Sequence, residues 1–247
     1  MTSELITHLQ KIHEFQKTDF RWCNIRKLVK KYITGKKILD AGCGTGHMTL
    51  DLLKENYDVT AIDYSDDLVG NALKNIKDAN FKANIFSCDL VSIKNKNLSS
   101  FDSIICLDVI EHINQDKIVL NNFYDLLKND GTLIISVPAI QKFYGERDKK
   151  VGHYRRYDKK ELTDTLKNAG FEITEIRYWN FIGVIPFVLS EKLFHKPVNE
   201  NIRYSRISLS SKIFNNLLNY WFSTIENNIK LPIGLTLIVV CKKKINI

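Results

Sequence analysis

The sequence predicts an α/β fold, with a mainly parallel sheet covered by helices on both faces. Two observations carry that prediction. From Lys37 onward, short apolar runs of strand length alternate with segments of helical period. Such alternation builds βαβ units. The second observation is bulk: 247 residues, 44% hydrophobic and 26% charged, suit one large domain with a core of its own. The same composition excludes bulk disorder, collagen and coiled coil.

The elements follow in order. Residues 1–34 read as helical, with Leu5, Leu9, Ile12 and Phe15, then Ile25, Leu28, Val29 and Tyr32, at helical spacing. A strand at 37–41 runs into a glycine turn and a helix through Leu53. A strand at 58–62 precedes a helix from Ser65 to about Asn75. Strands follow at 83–87 and 102–107, then a helix at 116–128. The Asn129-Asp130-Gly131 turn leads to a strand at 132–137, stopped by Pro138. A helix at 159–168 closes on Gly170, and a strand occupies 171–178. Residues 179–231 break the alternation with bulky apolar residues at helical spacing, among them Phe187, Leu193, Leu217 and Trp221. They read as a helical insertion: core-covering helices, or a lid that meets a greasy substrate or a membrane. A last strand occupies 235–240.

Charge and cysteines narrow the class. The apolar run 181–189 contains Gly183 and Pro186 and falls short of the ~20 residues of a membrane span. Glu4 and two histidines interrupt the region where a signal peptide needs an apolar stretch. Five cysteines with no C-x-x-C pair point away from disulfides and zinc knuckles and toward a reducing cytosol. The net charge of +8 asks for an anionic contact. Residues 141–160 hold eight basic side chains against three acidic ones, a local +5 that includes Arg147, Arg155 and Arg156. The loop is expected to border a ligand bearing phosphate or carboxylate, with Tyr154, Arg155 and Arg156 as contacts. Nucleic acid fits less well, since the basic residues form one short run. Membrane-surface docking is the other reading. Lys242-Lys243-Lys244, after the last strand, reads as solubility.

Ile38 to Gly46 is the informative stretch: a strand ends, three glycines permit a tight turn, and a helix begins. Such a turn lets a nucleotide-like ligand lie against main chain. The pattern is G-x-G-x-G behind Asp40, and His47 stands where a dinucleotide fingerprint needs glycine. The stretch resembles motif I of the class I S-adenosylmethionine-dependent methyltransferases. That resemblance implies a Rossmann-like, seven-stranded sheet with its last strand antiparallel. It also implies cofactor contacts from Asp40, Gly42, Gly44 and Gly46. Asp63, 21 residues after Gly42, takes the position of the acid that holds the ribose hydroxyls. Asp89 takes the position beside the adenine amino group, and Leu107 that of the backbone touching the methionine portion. Arg26 resembles an N-terminal arginine set near the cofactor carboxylate.

A second constellation follows strand four. Asp108, Glu111 and His112 stand at i, i+3 and i+4, so a helix there would present all three on one face. Two carboxylates and an imidazole suit a divalent cation. His153 lies after strand five, next door in this fold. The set resembles the E-x-x-E-H plus distal His of the ubiquinone-pathway O-methyltransferases and the small-RNA 2′-O-methyltransferases, with Asp108 in place of the first Glu. The resemblance implies Mg²⁺ or Mn²⁺ on Asp108, Glu111, His112 and His153. Without metal, these groups bond locally and His153 is the general base; His153 and Asp108 are the candidate catalytic residues. The GHYRRY stretch at 152–157 also resembles a set of uncharacterised methyltransferases.

The sequence therefore reads as one methyltransferase domain over 1–247: a helical cap at 1–34, a core at 35–178 and 232–241, and an insertion or lid at 179–231. The expected reaction is O-methylation of a small lipophilic or anionic acceptor. The alternatives are metal-independent C- or N-methylation, RNA 2′-O-methylation, and cofactor binding without catalysis. The expected location is the cytoplasm, with peripheral membrane contact as a variant.

Overall fold

A computed structural model describes residues 19–193 and 209–244. The apolar positions predicted as helical between Leu5 and Phe15, and residues 194–208 of the insertion, lie outside that range. Helix α1 (Phe20–Lys30) begins behind Asp19, whose carboxylate accepts from the backbone N–H groups of Arg21 and Trp22. Then come β1 (Lys37–Ala41), α2 (His47–Lys54), β2 (Asp58–Asp63), α3 (Asp66–Asp78), β3 (Asn84–Ser87) and β4 (Phe101–Leu107). Helix α4 (Asp116–Leu126), β5 (Leu127–Pro138), α5 (Glu146–Lys150), α6 (Lys159–Asn168) and β6 (Phe171–Trp179) follow. The chain continues through α7 (Val184–Phe187) and α8 (Leu209–Trp221) into β7 (Thr236–Lys243).

The strand order is β3-β2-β1-β4-β5-β7-β6. β7 slots antiparallel between β5 and β6, and the other pairs are parallel. The seven-stranded sheet with an antiparallel last strand is therefore present as expected. Paired apolar residues explain why it is covered twice. Leu39, Ile104, Ile135 and Val239 pack on one face with Val119, Phe123 and Leu162. Their neighbours Ile38, Ile105, Ile134 and Val240 pack on the other with Leu28, Leu52 and Val69. A strand sends successive side chains to opposite faces, so such dyads serve both layers.

Three expectations change. β5 starts at Leu127, which pairs with Phe101, before Thr132 resumes the ladder against Ser103. The Asn129–Gly131 turn is thus an excursion within one strand. Lys242 and Lys243 do not trail the last strand but belong to β7, and Lys243 donates to the Leu127 carbonyl at 2.8 Å. Asp108 does not open a helix: its φ is +53°, and only a short 3₁₀ turn (Ile110–His112) follows.

Candidate active site

Strand order reverses between β1 and β4, and the C-terminal ends of the strands open there into a cleft of about 810 Å³. Open α/β sheets bind ligands at this place. Asp108, Ile140 and Asn180, just beyond β4, β5 and β6, all adopt positive φ (+53°, +65° and +63°). Such backbone costs energy for residues with a Cβ and collects at functional edges.

Of the three glycines expected at the cofactor, Gly42 lines the first wall and Gly44 and Gly46 stand behind it in the turn. Gly42 has φ +82°, and a Cβ there would meet the Val109 methyl at 2.2 Å, so both backbone and space require glycine. Gly44 and Gly46 also take positive φ. The Gly44 N–H donates to Asp63 Oδ2 at 2.9 Å and the Ser65 N–H to Oδ1 at 3.0 Å. One backbone bond per oxygen fixes the carboxylate and leaves lone pairs for the cleft. Asp63, Asp89 and Leu107 line the cleft together with Gly42. Asp40 does not line it: it is buried and accepts the Thr49 hydroxyl at 2.6 Å. Burial pushes its carboxyl up to about 6, with Asp63's charge adding and Thr49 opposing.

Arg26 also stands apart from the lining. It is buried and its Nε donates to Asp51 at 2.8 Å. The residues of α1 that face the cleft are Arg21 and Trp22, neither of which stands in a motif of the sequence. Arg21 approaches Asp108 Oδ2 at 3.5 Å. Asp19, an N-cap residue type, is the available signal, because it fixes the helix start and places Arg21 in the first turn of α1.

The second wall holds the acid and histidine cluster. Glu111, His112 and His153 place ligand atoms within 4.8 Å of one another, the group of that kind among the described residues. Asp108 is not a member. Its Oδ1 accepts the Ser136 hydroxyl at 2.7 Å and its Oδ2 faces Arg21, so its carboxylate is turned toward β5 and α1. Glu111 is fully buried, and neither carboxylate oxygen has a hydrogen-bond partner. Burial, then the Asp108 charge, pushes its carboxyl well above the usual range. Burial, then His153, pulls His112 down to about 4, so that imidazole is neutral near pH 7. The two imidazoles meet edge to face at 4.6 Å. His153 Nε2 lies 3.9 Å from Glu111 Oε1, and its Nδ1 lies 3.0 Å from Asp148. An orphaned buried carboxylate beside a neutral imidazole and a second histidine fits the donor set of a divalent cation.

The basic loop turns its arginines inward. Arg147 pairs with Glu191 at 3.5 Å, Arg155 with Asp116 at 2.8 Å, and Arg156 with Asp148 at 2.9 Å. Arg155 lies outside the cleft lining, whereas Tyr154 and Arg156 line it. The local +5 is thus carried to solvent by lysines such as Lys142, Lys149 and Lys150, which are exposed. Tyr157 is buried and donates to Asp116 at 2.7 Å, and Tyr144 donates to the His153 carbonyl at 2.9 Å. Among the described residues no helix is long and apolar enough to cross a membrane.

Comparison with known proteins bears on the family and the fold. Residues 13–176 match the family described as a methyltransferase domain. The ubiquinone biosynthesis O-methyltransferase of Rickettsia bellii is 29% identical over 168 residues, covering 62% of this chain and 69% of its own. That of Coxiella burnetii is 31% identical over 112 residues, 44% of this chain and 47% of its own. A SAM-dependent methyltransferase from Thermotoga maritima, a possible histamine N-methyltransferase, superposes with a TM-score of 0.63 at 16% identity. That alignment covers 98% of this chain and all of the other, and at such identity it speaks for the fold.

Proposed function

This chain belongs to the methyltransferase-domain family, and from that premise we propose that it methylates a hydroxyl oxygen of a small acceptor, using S-adenosylmethionine and a divalent cation. One observation carries the reading: the fully buried Glu111 carboxylate, with no hydrogen bond to either oxygen, lies within 4.8 Å of ligand atoms of both His112 and His153 in the cleft. Left unsatisfied, such a buried group costs about 1–3 kcal/mol, and a bound cation would relieve it.

S-adenosylmethionine would supply a methyl group on a sulfonium, ready for in-line attack. Asp63 would hold its ribose, Asp89 its adenine, and Gly42 and Leu107 its passage along main chain. Arg21, which lines the cleft where Arg26 does not, would be the arginine near the cofactor carboxylate. A divalent cation, Mg²⁺ or Mn²⁺, would lower the pKa of the acceptor hydroxyl. Glu111, His112 and His153 would be its ligands. Phe187, Val151 and Pro138 line the same cleft and would exclude water around the acceptor. The named relatives support oxygen as the methylated atom. The exposed apolar residues Ile185, Leu189, Phe214 and Leu217 of the insertion support a lipophilic acceptor.

A second reading is favoured by the Asp148–His153 contact: with Nδ1 engaged, Nε2 is free to take the hydroxyl proton directly. One experiment separates the two. Chelator-treated protein is given S-adenosylmethionine and a catechol probe, and methylated product is counted. The cation reading predicts a loss of activity that added Mg²⁺ or Mn²⁺ reverses. Full activity in excess chelator would assign the proton to His153 alone. Cofactor binding without methylation of any hydroxyl would remove oxygen as the acceptor atom.

A further inference from the structure

We propose that Asp148, clamped by Arg156, is a positioning residue: it fixes His153 with its proton on Nδ1 and its Nε2 lone pair facing Glu111. The inference rests on the reading of Glu111, His112 and His153 as the working cluster and adds the group that orients it.

The geometry is closed on every side. Asp148 Oδ1 lies 3.0 Å from His153 Nδ1. Arg156 Nε lies 2.9 Å from both Oδ1 and Oδ2. The Gly145 N–H donates to Oδ2 at 3.0 Å. Asp148 is 1% exposed and Arg156 6%. A guanidinium is always charged and has no acceptor, so its partner here is a carboxylate that accepts only. The imidazole must then donate from Nδ1, and the lone pair is left on Nε2. That nitrogen lies 3.9 Å from Glu111 Oε1, too far for a hydrogen bond and close enough for both to bind one ion.

The backbone is held as well. The His153 N–H donates to the Asp148 carbonyl at 2.8 Å, and the Tyr144 hydroxyl donates to the His153 carbonyl at 2.9 Å. Arg156 in turn lies over the Phe187 ring at 4.8 Å, on the insertion side of the cleft. A ligating histidine generally gives its other N–H to such a carboxylate, and losing the carboxylate weakens metal affinity 10–100-fold. Arg156, which the sequence suggested for an acidic acceptor, thus serves the histidine.

Two measurements test this. Long-range ¹H–¹⁵N NMR of the full chain near pH 8 reads the tautomer of His153, identified by its loss in His153→Gln. The proton is expected on Nδ1; a proton on Nε2 overturns the proposal. The second measurement compares the parent with Asp148→Asn, using Mn²⁺ affinity by electron paramagnetic resonance and S-adenosylhomocysteine affinity by calorimetry. The Mn²⁺ Kd is expected to rise 10–100-fold while the nucleoside Kd stays within twofold. An unchanged Mn²⁺ Kd in folded Asp148→Asn overturns the proposal. Should that variant fail to fold, the tautomer of the parent decides. If the parent binds no Mn²⁺ yet shows Nδ1–H, the cation reading fails and the positioning role stands.

Discussion

Asp108 and Glu111 show what sequence spacing reaches at the residue scale. Both carboxylates were legible as candidates, and so was their nearness to His112 and His153. Their division was not. Asp108's left-handed backbone and its bonds to Ser136 and Arg21 turn it out of the cluster, leaving Glu111 as the buried acid. No single-residue pattern announces a positive φ in an aspartate. Arg26 and Arg21 are equally plausible on paper; only the start of α1 decides which reaches the cleft. Asp40 offers a test in solution. Its pKa is about 6 when folded, against roughly 4 in an unfolded chain. Its stabilising effect is therefore present below pH 4 and lost as pH rises through 6. Asp40→Asn should raise thermal stability above pH 6, by up to roughly 3 kcal/mol, with the gap closing below pH 4. Melting curves across that range check it, and an equal gap at every pH would refute it.

At the scale of elements, the alternation of strands and helices was legible because both layers of the core draw on the same dyads. The ends were less so. The excursion at 128–131 belongs to β5 because Leu127 still pairs with Phe101 across it, a tertiary contact that turn chemistry cannot foresee. The 3₁₀ turn at Ile110–His112 replaces a helix because Asp108 breaks the run. The start of β1 has its own anchor. Asp102 accepts the N–H groups of Lys36 and Lys37 and pairs with Lys128 at 2.7 Å. The Lys128 bond first, then those backbone donors, hold its carboxyl down to about 2. A depressed acid stabilises above its unfolded pKa and ceases to as pH falls through the folded one. Asp102→Asn should therefore lower the Tm at pH 7, with the deficit shrinking below pH 4 and vanishing near pH 2. A deficit that persists at pH 2 would mean the loss is steric.

For the whole molecule, the insertion is tied to the core and to α1. Glu226 is fully buried and accepts from the Asn180 and Phe181 N–H groups at 2.8 Å and the Trp221 indole at 2.9 Å. Asn24 of α1 donates to Asn219 of α8 at 2.7 Å, and Phe222 stacks on Trp179 at 4.6 Å. The insertion was legible as a break in period, but its anchoring was not, since Glu226 looks like any surface acid in sequence. Glu226→Ala removes several buried acceptor bonds, each worth about 1 kcal/mol or more, and should lower the Tm by several degrees. A Tm within one degree of the parent would mean the insertion holds without it. Charge sharpens in the same way: each arginine of the +5 loop is paired with an acid, Arg156 within the loop and Arg147 and Arg155 with Glu191 and Asp116 beyond it, so its exposed cations are lysines. The central claim is that Glu111, His112 and His153 hold a cation where the acceptor is methylated. Crystals grown with S-adenosylhomocysteine and Mn²⁺, measured at the manganese absorption edge, test it most directly. An anomalous peak bounded by those three side chains is expected beside the bound nucleoside. A bound nucleoside with no peak there would contradict it.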